Sequence, residues 1–365
     1  MLKMKLCYNF IMKNWDDIHI DYSPIDGRDK PINEIIAARH EGKTATFMGR
    51  KVFPLWKKTG APVVLLFRNA VDVTPSSIQF YCDLFNPFVS EDQQVHLIVP
   101  EAKCQDGIVS CKDKRSGKVF CHAVALAKKE ATLKKTAFPG VRYVLFDEYE
   151  INPKNGESYL KNEWSKFQAY FDTQRKISDA RAYFLTNPYS RANPLHRGLG
   201  VESSRIKPGE MIVGSNYAVW FKKMDPRLVE KLKKENPLFD ENGAYGSWAF
   251  SGDFAQDDLS QVMPMGPGYA LSGEIVYFGE RFGVYKLQDL ARLGEEPYYF
   301  FKKEKDRGNA RRSFAFDFDD LVVNSTLYDK KSRVFAGLKG AGAMREVGFD
   351  SVESMAAFRE IFDYL

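Results

Sequence analysis

The chain has 365 residues, 44% hydrophobic and 14% aromatic, which excludes wholesale disorder and leaves room for two domains with cores of their own. Its 53 basic and 48 acidic residues give a net charge of +5, a mild lean toward polyanions but too little for a dedicated nucleic-acid-binding domain. The cysteines (Cys7, Cys82, Cys104, Cys111 and Cys121) are odd in number and form no CxxC pair, which points to a reducing compartment and away from zinc. No segment approaches the ~20 apolar residues of a membrane span, and the first residues make no signal peptide, so a soluble cytoplasmic protein is expected.

In chain order, short apolar runs predict strands at 34–38, 62–68, 96–99, 119–126, 143–146 and 182–185. Helical patterns alternate with them, which argues for an α/β domain on a largely parallel sheet. Leu160, Trp164, Phe167 and Phe171 form one apolar stripe of a helix between the last two strands. Residues 104–117 read as a β excursion with turns at Asp106-Gly107 and Ser116-Gly117. Residues 198–214 read as loop, and a basic helical stretch follows from Asp225-Pro226 to Lys234. The expected organisation is a first domain over 1–214, a partly helical linker over 215–240 and a second, α+β domain over 241–365. The last contains a hairpin (269–278 and 281–287), a strand at 298–302 and a final helix marked by Val352, Met355, Phe358 and Phe362.

The first chemical signal follows the first strand. Ala37-Ala38-Arg39-His40-Glu41-Gly42-Lys43-Thr44 matches a phosphate-binding loop except for alanine where the first glycine belongs. In such a loop Lys43 reaches β- and γ-phosphate oxygens, Thr44 ligates Mg²⁺, and N–H groups at a helix start face the phosphates. Alanine at 37 disfavours positive φ, so the chain must enter the loop with ordinary backbone angles. Gly-Lys-Thr alone is a weak signal and also fits an ordinary surface helix start.

The second signal is Tyr143-Val144-Leu145-Phe146-Asp147-Glu148, an apolar strand that ends abruptly in two acids. A buried parallel strand delivers such residues to the sheet edge where ligands bind. Asp147 suits the metal, directly or through water, and Glu148 the proton of an attacking water. The neighbouring strand ends in Thr186-Asn187-Pro188, placing Asn187 as a γ-phosphate sensor, although Thr-Asn-Pro is also an ordinary turn. Arg175 and Arg181 flank the start of that strand, and either could reach a neighbouring subunit's γ-phosphate as an arginine finger. Lys134 and Lys135, just ahead of the acidic strand, carry the same two readings, trans-acting or plain surface. Together these residues describe an ATPase that uses ATP and Mg²⁺.

On these blocks, Ile36 to Thr44, Val144 to Tyr149 and Leu185-Thr186-Asn187 with Asn193-Pro194 beyond, the chain resembles the DNA-packaging ATPases of small podovirus-type tailed bacteriophages. The resemblance spans nearly the whole chain and is strongest in the first 200 residues. It implies an ASCE-type P-loop ATPase domain followed by an RNase H-like domain that has lost its metal-binding acids. It further implies a homomeric ring, expected to be a pentamer, at the portal vertex of a procapsid in the host cytoplasm, absent from the mature virion. That ring would drive double-stranded DNA inward, with a portal or connector as partner and a packaging RNA as a further candidate. Carried over by position, Lys43, Thr44, Asp147, Glu148 and Asn187 keep the roles argued above. An arginine acting in trans is expected between Arg175 and Arg181, and Lys134 falls where relatives place a lysine facing the adjacent subunit. The missing first glycine departs from the family loop.

In the second domain, Asp253, Asp257, Asp258, Asp317, Asp319 and Asp320 invite a nuclease reading, but the first strand offers only Glu274, and an active nuclease is not expected. The basic clusters Lys222-Lys223, Lys231-Lys233-Lys234 and Lys302-Lys303-Lys305-Arg307-Arg311-Arg312 fit phosphate contacts without sequence preference, or simply solvated surface. Two other functions remain open at this point: another ASCE ATPase such as a helicase, and a structural portal adaptor with a vestigial nucleotide site.

Overall fold

The computed structural model describes residues 19–38, 40–151, 159–189, 193–201, 206–235, 261–277, 279–292, 296–304, 313–315, 325–327, 338 and 346–363. The chain divides into two compact units, residues 1–189 with 206–255 and residues 190–205 with 256–365.

The first unit is organised by a nine-stranded sheet in the order β3-β4-β5-β2-β6-β7-β1-β9-β8. Its central strands are β1 (Ile32–Ile36), β2 (Val63–Phe67), β5 (Val119–Ala125), β6 (Tyr143–Asp147), β7 (Arg181–Thr186) and β9 (Tyr217–Phe221), and neighbouring members pair in parallel. β2 is buried at every residue, as expected for a parallel strand covered on both faces. The edges turn antiparallel: β3 (Leu97–Ile98) and β4 (Ile108–Asp113) on one side, β8 (Met211–Val213) on the other.

The expected strands are all present, and the excursion at 104–117 contains β4. Two expectations are corrected. The first sheet does not end at residue 214: Gly214 donates to the carbonyl of Tyr217 in a tight turn from β8 to β9, and β9 then pairs along the whole of β1. The stretch taken for loop and linker therefore supplies two strands, one of them with Ala218, Val219 and Phe221 buried. Leu160 does not belong to the helical stripe, because the helix spans Glu163–Ile177 and starts after a left-handed Asn162. The Glu163 carboxylate accepts from the Leu160 N–H instead, closing the first turn.

A helix follows β1 through Lys43–Thr46, a π-helical stretch Phe47–Val52 and Phe53–Thr59, ending at Gly60 with φ 75°. The irregular stretch lies just ahead of Pro54, which lacks an N–H and whose ring crowds the preceding turn. The helix fixes one face of the sheet through aromatic packing. Phe53 and Phe85 lie 5.0 Å apart, Trp56 and Phe120 5.1 Å, and Phe47 and Tyr183 4.8 Å, centroid to centroid. Each such buried side chain contributes about 1.5–3 kcal/mol of transfer free energy. That packing holds the start of the helix, and with it the phosphate loop, against the sheet.

The second unit has a six-stranded sheet in the order β14-β13-β10-β11-β12-β15. β10 (Tyr269–Tyr277), β11 (Glu280–Leu287) and β12 (Tyr299–Glu304) form an antiparallel meander. β13 (Ser313–Ala315) adds in parallel to β10, β14 (Ser325–Leu327) to β13, and β15 (Val347–Phe349) to β12. The helix Val352–Asp363 packs Met355, Phe358, Ile361 and Phe362 against Phe282 and Phe301, as its sequence periodicity predicts. No helix among the described residues is long and apolar enough to cross a membrane. Asp253, Asp257, Asp258, Asp317, Asp319, Asp320, Lys305, Arg307, Arg311 and Arg312 lie outside the described residues.

Candidate nucleotide site

Three parallel strands end side by side. β7 lies between β1 and β6, with Ile36 opposite Thr186 and Asp147 opposite Leu185. The chain therefore leaves β1 into the phosphate loop, β6 into the acidic pair and β7 into Asn187 at one edge. This placement of one strand between the loop strand and the acidic strand belongs to the largely parallel α/β sheet expected from the sequence.

The loop is held from both sides. The Ala37 N–H donates to the Thr186 carbonyl at 3.1 Å, and the Ala38 N–H to the Glu41 carboxylate at 2.9 Å. Ala37 is not among the left-handed residues, so the chain enters the loop with ordinary angles and the first glycine is not required. His40 and Gly42 are left-handed, each with φ 67°. Gly42 is the position that demands glycine, because a Cβ there would fall within the His19 ring. Arg39 lies outside the described residues.

Lys43 begins the helix, and its ammonium donates to three oxygens: the carbonyls of Ala37 at 2.8 Å and Ala38 at 2.9 Å, and Oδ1 of Asn187 at 2.9 Å. Its own carbonyl accepts from the Tyr22 hydroxyl at 2.9 Å. Thr44 Oγ1 donates to Asp147 Oδ2 at 2.7 Å. The Asp147 carboxyl is pushed up to about 6, chiefly by desolvation with the adjacent Glu148 adding to it, against the Thr44 bond and Lys43, which pull the other way. Two hard oxygens in contact, one at a helix start and one at a strand end, fit Mg²⁺, which keeps most of its ligands as water and phosphate oxygens. Among the described residues, no group of three or more His, Cys, Asp or Glu is placed to hold a metal ion.

Glu148 is exposed and left-handed, with φ 47°, uncommon for a non-glycine residue. The residues after it explain the conformation. The Tyr149 hydroxyl donates to buried Glu34 on β1, and Glu150, also buried, accepts from Thr186 Oγ1 at 3.1 Å and the Tyr189 N–H at 3.0 Å. Both neighbours are pinned inward, which turns Glu148 outward. Glu150 also bonds the chain on both sides of Asn187, tying the acidic segment to the segment of the expected sensor. Sequence reading missed Glu34, Tyr149 and Glu150; the one available signal was a third acid in Asp147-Glu148-Tyr149-Glu150, too common a composition to single out.

The basic residues do not join this cluster. Arg181 begins β7, at the opposite end of that strand from Asn187, and is ion-paired with Asp29. Arg175 is exposed near the end of its helix, over the Phe171 ring at 6.0 Å. Lys134 is exposed and paired with Glu130 at 2.6 Å, and Lys135 is exposed. Lys222, grouped by sequence with Lys223 as a DNA or capsid contact, is instead ion-paired with fully buried Glu41 inside the phosphate loop. In the second unit Lys302 and Lys303 are paired with Glu304 at 3.8 Å and Glu280 at 2.5 Å.

No protein-family model matches the sequence, and no curated protein does. Solved structures do. The bacteriophage Phi-29 viral genome packaging motor assembly matches with a TM-score of 0.62 at 19% identity, over 95% of this chain and 99% of that one. The Phi-28 gp11 DNA packaging motor matches with a TM-score of 0.61 at 17% identity, over 95% and 98%. The chain has the fold of a phage DNA-packaging motor. The likeness covers both units, so it extends past the phosphate loop and acidic strand that first suggested it.

Proposed function

We propose that this chain is an ATPase that packages double-stranded viral DNA into a preformed capsid, working as a homomeric ring at the portal vertex in the host cytoplasm. The observation that carries the reading is the meeting of Lys43, Thr44, Asp147, Glu148 and Asn187 at one sheet edge, within a fold shared end to end with packaging motors.

The phosphate loop and Lys43 would hold the phosphates of ATP, and Thr44 with Asp147 the Mg²⁺. Together ATP and Mg²⁺ supply the transferable phosphoryl group and neutralise its charge. Glu148, turned outward by its pinned neighbours, accepts the proton of the attacking water. Asn187 bonds to Lys43 and stands where it can register the terminal phosphate. An arginine from an adjacent subunit, Arg175 or Arg181, completes the charge stabilisation. Both lie away from their own chain's loop, as a residue acting in trans requires, and Arg181 must exchange its partner Asp29 to do so.

The second unit is RNase H-like in this reading. In support, the meander β10-β11-β12 with β13 and β14 added in parallel beside β10 gives the strand order 3-2-1-4-5 of that fold. Its central acid, Glu274, is buried and ion-paired with Arg281, which neutralises it and argues against nuclease chemistry there. Exposed Lys223, Arg227, Lys231 and Lys234 in the first unit supply phosphate contacts that grip DNA without reading its sequence.

The test is packaging itself. Purified protein, empty procapsids carrying their portal and linear double-stranded DNA are combined with ATP, and DNA protected from added nuclease is measured. Protection that needs ATP and is lost with Lys43→Ala supports the motor. Protection that persists with Lys43→Ala, or its absence with any nucleotide, contradicts it.

A further inference from the structure

The phosphate loop of this chain contains a buried negative charge. Glu41 is fully buried between left-handed His40 and Gly42, and one of its oxygens ties back the Ala38 N–H at 2.9 Å. A carboxylate enclosed in a loop that must receive phosphates raises their energy through space, and burial makes the repulsion strong. Its other oxygen is ion-paired with Lys222, the residue that follows β9. Lys222 is itself fastened to the base of the loop, since its N–H donates to the Ile36 carbonyl at 2.9 Å. Directly after it, Met224 and Leu228 pack on Ala38 of the same loop. Leu228 belongs to the helix Pro226–Glu235, so an ion pair and an apolar contact seat one stretch of chain on the loop.

We propose that Lys222 is a positioning residue of the nucleotide site: it cancels the charge of Glu41 and holds the phosphate loop in its receptive shape. The inference rests on the reading of the loop as an ATP site. It follows that the loop is complete only when β9 and the helix beyond it are seated on it. A displacement of that stretch would uncover the Glu41 charge and loosen the nucleotide.

The test uses the full chain with Lys222→Met, Lys222→Arg and the double variant Glu41→Gln/Lys222→Met. Binding of mant-ATP with Mg²⁺ is followed by fluorescence, KM and kcat for ATP are measured, and folding is checked by circular dichroism. Lys222→Met leaves a buried carboxylate unpaired, and it is expected to weaken mant-ATP binding and raise KM by about tenfold or more. Turnover at saturating ATP changes much less. Lys222→Arg keeps the charge and retains most of the affinity. The double variant removes both charges and recovers most of what Lys222→Met loses, which a purely structural loss would not allow. Wild-type affinity in folded Lys222→Met overturns the proposal, as does a folded double variant no better than Lys222→Met. If Lys222→Met does not fold, the double variant decides by the same criterion: folded with near-wild-type binding supports charge cancellation, folded without binding overturns it. A wild-type chain that binds no mant-ATP would overturn the nucleotide reading itself, a failure distinct from loss confined to the variants.

Discussion

The Lys43 ammonium donates to Oδ1 of Asn187 at 2.9 Å across 144 residues of sequence. This bond joins the start of the phosphate-loop helix to the end of β7, and it exists because β7 is the strand inserted between β1 and β6. Lys43 also donates to two loop carbonyls, so loss of the amide leaves the lysine anchored there but removes this tie to the end of β7. Asn187→Ala is therefore expected to lower kcat for ATP by roughly tenfold to a hundredfold, in the range of losing one polar group that acts on the transition state. KM should change by less. Steady-state ATPase kinetics check this, and a rise in KM with kcat intact would assign Asn187 to binding alone.

Gly42 cannot be replaced without moving its surroundings. Its φ of 67° is strained for any residue with a Cβ, and that Cβ would enter the His19 ring. Gly42→Ala is expected to cost about 1–2 kcal/mol from the backbone alone, with more from the clash, and to abolish measurable mant-ATP binding. The contrasting substitution is Ala37→Gly, where φ is ordinary. It should leave binding within about threefold, because any effect there comes only from the modest entropy difference between glycine and alanine.

Glu150 fixes the chain after Glu148 and the chain around Asn187 at once. Glu150→Ala removes an acceptor shared by Thr186 Oγ1 and the buried Tyr189 N–H, which keep the Asn187 carbonyl at 2.9 and 2.8 Å, so the loss is that of the two bonds, about 0.5–1.5 kcal/mol each. The expected signature is a lower unfolding midpoint together with a fall in kcat, while Glu150→Gln, which retains an acceptor oxygen, recovers part of both. Thermal denaturation and single-turnover ATP hydrolysis on the same samples distinguish the pair. A drop in stability with unchanged kcat would confine Glu150 to structure.

His122, on β5, gives a pH dependence separate from the nucleotide site. It is buried, stacks on Phe138 with centroids 3.8 Å apart, and shares a 2.8 Å hydrogen bond between Nδ1 and Ser110. Burial lowers its pKa to about 4, below the unfolded value of about 6.5. The unfolded chain then binds the extra proton first, so the contribution is present above pH ~6.5 and is lost as the pH falls toward 4. Between pH 7 and pH 5 the loss should be about 2 kcal/mol. Chemical denaturation of wild type and His122→Gln at both values tests this: the pH-dependent difference between them should have that sign, and equal slopes would refute it.

Much of this was legible in the sequence because the signals were local. Val144-Leu145-Phe146 followed by Asp147-Glu148 marks a buried strand and its charged exit within one short run, and Gly42-Lys43-Thr44 marks a helix start the same way. What escaped reading depends on partners far apart. Lys222 looked like half of a surface basic pair, since nothing near it reveals Glu41, which lies 181 positions earlier. Met211 to Val213 is too short to stand out as a strand, and Gly214 before it joins Tyr217 disguised the hairpin as a linker. Glu150 and Glu34 have no pattern of their own and acquire their place only when β1, β6 and β7 lie side by side. Leu160 kept the helical spacing but fell outside the helix, because Asn162 breaks the backbone after it.

The most direct measurement is ATP hydrolysis by the purified full chain with and without double-stranded DNA, comparing wild type with Glu148→Gln. The geometry predicts DNA-stimulated turnover in the wild type, and a variant that still binds mant-ATP but hydrolyses it at least a hundredfold more slowly, in line with the loss of a positioned general base. Turnover by Glu148→Gln at the wild-type rate, or nucleotide binding without turnover by the wild type even on portal-bearing procapsids, would contradict it.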